Sequence, residues 1–198
     1  MRDLALFPLN AVLFPGGRLP LRIFEQRYME MAKACLRDGA PFGVCLIREG
    51  AEVLVEGAGA PAAPASVGCL ARIAEWDMPQ LGLLQVVARG EARFRILERR
   101  VQADGLARAT IEILAEGEDA QIPPSCARCV RLLERLIERQ AALVETPHRL
   151  DSSAWVSLRL AELLPLPPEE KQEYLEMTDA RARLERLNSL LTNAQATF

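Results

Sequence analysis

Between Leu6 and Phe24 the apolar residues come in short runs, cut by Pro8, Pro15, Gly16, Gly17 and Pro20. Runs of this length are too short for a helix and suit strand, loop, strand. Leu4–Phe7 and Leu19–Ile23 are therefore predicted strands of one sheet, with Pro15-Gly16 or Gly16-Gly17 supplying the turn between them. From Glu25 the period changes. Tyr28, Met31, Ala32, Cys35 and Leu36 recur at three and four residues, one face of a helix, and Gly39 ends it. Beyond it, Pro41–Ile47 and Glu52–Glu56 read as a hairpin about Arg48-Glu49-Gly50, and Gly57–Ser66 as a loop. Val67–Trp76 and Leu81–Ala88 read as a strand pair turning at Asp77-Met78-Pro79. Phe94 and Ile96 alternate with Arg93 and Arg95, the period of a half-buried strand with its arginines in solvent, and Leu106–Leu114 repeats the logic. Six or more strands before residue 115 predict a barrel or strongly curved antiparallel sheet with one helix packed on it.

At Glu116-Gly117-Glu118-Asp119 the pattern shifts, with Pro123-Pro124 close behind. Ser125 is expected to cap a helix from Cys126 to about Val144, striped by Val130, Leu133, Leu136, Ile137 and Val144. Asp151 or Ser152 caps the next, which Pro165 stops, and Pro168 opens a short helix through Met177. Asp179 caps the last, carrying Leu184, Leu187, Leu190 and Leu191. The plan is α+β: a β domain over 1–117, then a compact four-helix bundle over 118–198.

Composition narrows the function. Half of the 198 residues are hydrophobic, ample for a core, and a net charge of −3 argues against a general polyanion binder. The longest uncharged runs, Leu4–Gly17 and Gly57–Ala71, are interrupted by proline and shorter than the about 20 apolar residues a bilayer span takes. No secretory leader is read at the start, and five unevenly spaced cysteines fit reduced thiols, so a cytoplasmic location is expected.

Several segments carry a family likeness: Leu6-Phe7-Pro8-Leu9, Val12-Leu13-Phe14-Pro15-Gly16, Leu19-Pro20-Leu21, Ile23-Phe24-Glu25 and Arg27-Tyr28 with Met31. It continues through Phe42-Gly43-Val44, Val67 to Ile73, Gly90 with Arg93-Phe94-Arg95-Ile96, and Leu164-Pro165-Leu166 with Glu170-Lys171-Gln172 and Arg183-Leu184. Together these resemble the Lon substrate-binding (Lon N-terminal) domain, a module found also in cereblon. The resemblance implies a PUA-like pseudo-β-barrel with one packed helix followed by the helical bundle, and a role in engaging polypeptide. The 198 residues read as that module standing alone. Its two lysines, Lys33 and Lys171, follow Ala32 and Glu170, so no phosphate-binding Gly-Lys-Ser/Thr loop is present, and neither lies in a Ser-Lys protease context.

The remaining chemistry is sparse. Cys126 and Cys129 form a Cys-x-x-Cys at a predicted helix start, at most half a zinc site, and read more simply as small buried hydrophobes. His148, the sole histidine, has no nucleophile placed beside it by the sequence. No catalytic set, metal site or cofactor is expected. Two readings remain for the loop Val12–Arg18: its apolar residues fill the barrel mouth, or they line an exposed groove. On the second, Val12, Leu13, Phe14 and Arg18 bind unfolded polypeptide or a specific protein partner, together with Leu133 and Ile137 of the first bundle helix. The alternative is an RNA or small-ligand binder using Arg93 and Arg95, although the aromatics needed for base stacking are few. Self-association through the leucines of the last helix is a further expectation.

Overall fold

The first strand, β1 (Arg2–Leu9), is buried on both faces: Leu4 and Leu6 enter one core cluster, Ala5, Phe7 and Leu9 another. That is why its sequence reads as a continuous apolar run rather than an alternation. In the computed structural model, which describes residues 2–49, 63–139 and 144–195, β1 is followed by β2 (Arg18–Ile23), α1 (Gln26–Asp38) and β3 (Phe42–Glu49). Then come β4 (Ala63–Pro64), β5 (Val67–Gln80), β6 (Leu83–Val101) and β7 (Ala107–Ile113). Pairing runs β1-β7-β6-β5-β3 and back to β1, so five strands close a ring, with β1 and β3 parallel and the other pairs antiparallel. β4 pairs with β3, and β2 pairs with the first half of β6 alone. Pro20 fits there because an edge strand does not need every N–H. The predicted strand Glu52–Glu56 lies outside the described residues, as does much of the expected Gly57–Ser66 loop.

The larger core cluster gathers Phe7, Leu9, Leu13, Ile23, Tyr28, Met31, Phe42, Val44 and Val86, with the Phe7 and Tyr28 rings stacked at 4.1 Å. It is where α1 packs. The helix ends as its sequence predicts: Gly39 sits at φ 60° and its N–H donates to the Cys35 carbonyl. Near the helix start Arg27 donates to the Gly105 carbonyl at 2.9 Å, pairs with Glu25 at 2.8 Å and lies 4.4 Å from the Tyr28 ring centre.

Two local expectations are corrected. The hairpin does not turn at Asp77-Met78-Pro79. Those residues stay in β5 through a register shift between Asp77 and Gln80, and the turn falls at Leu81-Gly82, where Gly82 takes φ 84°. Nor does β6 break after Ala88; it runs on through Gly90 to Val101.

Residues 1–114 and 115–198 form two compact units. The second holds a 3-10 turn over Pro124–Cys126, then α2 (Ala127–Arg139), α3 (Ser153–Leu163), α4 (Pro168–Glu176) and α5 (Ala180–Gln195). Ser125 caps nothing; it lies inside the 3-10 turn, where Cys126 N–H donates to the Pro123 carbonyl. The other caps match their sequence signals. Ser152 Oγ accepts from Trp155 N–H at 3.0 Å and Asp179 Oδ1 from Ala182 N–H at 2.9 Å. Between the helices the interior is partly polar: buried Arg183 donates to Ser157 Oγ and to the Met177 carbonyl, and buried Arg159 pairs with Glu162 at 2.8 Å.

Candidate functional site

The loop that most marks this sequence is interior. Leu13 and Phe14 are 2% and 0% exposed, and Val12 is half-buried. The loop is pinned to β6 by Gly16 N–H donating to the Gly90 carbonyl at 2.8 Å and Gly90 N–H to the Gly17 carbonyl at 2.9 Å. Leu13 and Phe14 therefore fill the barrel mouth and do not line an exposed groove. Leu133 and Ile137 are likewise buried, on the inward face of α2. Of that candidate set only Arg18 reaches a surface feature, through its ion pair with Glu75 on β5.

The arginine strand is corrected too. Arg93, expected in solvent, is fully buried beside Phe94, while Arg95 is exposed. Arg100 and Arg108 are held by Asp3 at 2.9 and 2.8 Å. Burial of Arg93 and the pairing of Arg100 and Arg108 leave Arg95 as the exposed arginine of the expected pair. Cys126 and Cys129 are both buried, and burial pushes the Cys129 thiol up to about 11 and the Cys45 thiol to about 12. A nucleophilic cysteine needs the opposite shift. His148 is exposed, its ring 5.7 Å from that of Trp155. Among the described residues no three of His, Cys, Asp and Glu gather as metal ligands, and no helix is long and apolar enough to cross a membrane.

What the structure builds instead is a groove of about 730 Å³ across β2, β6 and β5. Three consecutive residues from each strand line it: Pro20, Leu21 and Arg22; Gln85, Val86 and Val87; Glu75, Trp76 and Asp77. The registers align them in rows, Pro20–Val87–Glu75, Leu21–Val86–Trp76 and Arg22–Gln85–Asp77. Directly paired residues share a face, so the first and third rows stand on one side of the ribbon. The middle row turns to the other. There Val86 enters the core, while Trp76 at the free margin of β5 stays 60% exposed. Apolar exposure concentrates here. Phe24 follows β2, Met78 lies two residues beyond Trp76, and Leu81 at the apex of the β5–β6 hairpin is 97% exposed.

The ribbon offers apolar contact, single charges and an amide, but no nucleophile with a base beside it. The reading of the sequence missed it because its residues come from segments joined only by strand register. The available signal was Trp76, Met78 and Leu81, large apolar residues crowding a hairpin end.

Comparison with known proteins adds the following. The family described as the ATP-dependent protease La (LON) substrate-binding domain matches residues 3–193. A Lon protease of Anaeromyxobacter dehalogenans is 31% identical over 196 residues, and Lon protease 2 of Myxococcus xanthus 32% over 195. Each alignment covers 95% of this chain, which spans 23% of the length of those relatives. Cereblon of Gallus gallus is 28% identical over 124 residues. A crystal structure of a Lon N-terminal domain protein from Xanthomonas campestris superposes with a TM-score of 0.76 at 34% identity, covering 96% of this chain and 98% of that one.

Proposed function

The chain belongs to the Lon substrate-binding domain family, and from that premise we propose that it is a non-catalytic module that binds unfolded or partly unfolded polypeptide on the β2–β6–β5 ribbon. The observation that carries the reading is the family match along residues 3–193, which takes in none of the ATPase or protease parts of Lon. The ribbon is chosen as the surface because Trp76, Met78 and Leu81 are exposed beside its groove, and clustered exposed apolar side chains mark interaction sites.

The test is binding to a labelled, permanently unfolded polypeptide such as reduced, carboxymethylated lactalbumin, followed by fluorescence anisotropy. Saturable binding is expected, weakened several-fold by Trp76→Ala and by Leu81→Ser with the unfolding midpoint unchanged. Binding no stronger than that of native lactalbumin overturns the reading. Binding that neither substitution weakens moves it off this ribbon.

A further inference from the structure

Resting on the polypeptide-binding reading, we propose that the groove selects an extended segment bearing an acidic and a basic residue three positions apart, with apolar residues between them. The argument starts from the row Arg22–Gln85–Asp77. Arg22 and Asp77 are exposed at its two ends and joined to no opposite charge among the described residues; Asp77 only accepts the Met78 N–H. The neighbouring charges are already engaged. Arg18 pairs with Glu75 and Arg72 with Glu91, and Arg89 has a partner as well. The groove therefore presents one uncompensated cation on β2 and one uncompensated anion on β5.

Two inter-strand spacings separate them, about 10 Å. An extended chain in the polyproline II conformation rises about 3.1 Å per residue with three residues per turn, so side chains three positions apart fall on one side of it and about 9 Å apart. Between the charges lies the Gln85 amide, able to bond a crossing main chain, and beside that row on the same face lie the apolar surfaces of Pro20 and Val87. A segment with a carboxylate over Arg22 and an ammonium or guanidinium over Asp77 matches all of these at once. Because such a segment seats in either direction, the spacing is read rather than the order. Each exposed pair is worth a factor of about 1.4 to 5, so the two together multiply affinity by roughly 2 to 25.

Capped ten-residue peptides carrying Glu and Lys three apart around two leucines, and their counterparts with Gln at both positions, test this by anisotropy at low and high salt. The expected preference for the charged peptide is about threefold or more, shrinking with salt. R22E and D77R should each remove it, and the double variant R22E/D77R should restore it, since the peptide then seats reversed. Equal binding of the two peptides, or a preference indifferent to R22E and D77R, overturns the selectivity proposal and leaves polypeptide binding standing. Failure of the double variant to recover, with its unfolding midpoint as in the parent, overturns it too. If carboxymethylated lactalbumin also fails to bind the parent chain, the broader reading has failed instead.

Discussion

Replacing Gly90 by alanine adds one methyl group at the point where the loop before β2 crosses β6. The new Cβ would stand 2.1 Å from the Phe14 carbonyl oxygen and 2.9 Å from its carbon. Both are backbone atoms, so no side-chain rotation relieves the clash, and one chain has to back away from the other. Retreat strains or breaks the two hydrogen bonds that pin the loop, Gly16 N–H to the Gly90 carbonyl and Gly90 N–H to the Gly17 carbonyl. Those are worth about 0.5–1.5 kcal/mol each, and overpacking at a core position adds about 1–3 kcal/mol. The stiffer unfolded chain returns about 0.4–1 kcal/mol. The net loss is about 3 kcal/mol, a large part of the roughly 5–15 kcal/mol that holds a domain folded. Urea unfolding followed by far-ultraviolet circular dichroism measures it, with a midpoint lowered by about 1 M or more. Gly82→Ala is the control: it stands at φ 84° with nothing within 4 Å of the added Cβ, so it carries left-handed strain of about 1–2 kcal/mol and no clash. A Gly90→Ala chain within 1 kcal/mol of the parent, or more stable than Gly82→Ala, would refute the placement of Phe14 against β6.

Two further outcomes follow from titrating groups. With burial pushing Cys129 to about 11 and Cys45 to about 12, their thiolates are scarce near pH 8. A thiol-reactive disulfide reagent at that pH should react slowly with all five buried cysteines in the folded protein and promptly in denaturant. Prompt labelling of the native chain contradicts their burial. Asp119 is the second case. Partial burial alone would raise its carboxyl above 3.8, but hydrogen bonds from Ser152, Ala154 N–H and Ala120 N–H, with Arg149 nearby, outweigh that and lower it. A depressed carboxyl contributes stability above its unfolded value and loses that contribution as pH falls through the lower folded value. Asp119→Asn should therefore lower the melting temperature at pH 7 and narrow that deficit below about pH 4, where the parent's advantage fades. An equal deficit at both pH values would show that the charge contributes nothing.

Legibility in the sequence followed the range of the interaction concerned. α1 was readable because its stripe and Gly39 lie within one segment, and so were the Ser152 and Asp179 caps. The turn after β5 was misread because Pro79 resembles a breaker, whereas a bulge absorbs it and Gly82 alone has the dihedral the hairpin needs. Arg93 failed the alternation rule because that rule assigns a face and not the depth at which the face lies. The burial of Arg159 and Arg183 has no local signal, since a partner such as Ser157 stands 26 residues from Arg183 in sequence. The groove was least legible of all, since its rows join β2 to β5 through β6.

The ring of strands has a consequence for how the first unit is assembled. β1 lies far ahead of β7 in sequence, yet it closes the barrel by pairing Arg2 with Ile111 and Leu4 with Ala109 on β7. Until β7 has been synthesised, the Leu4–Leu9 run has only β3 to pair with, and one of its edges stays open. Contacts of such sequence separation form late and slowly, because a long loop has to close before they are gained. The barrel is thus a fold whose first strand waits for its last. Its period of greatest exposure to misassociation is the interval between making the two.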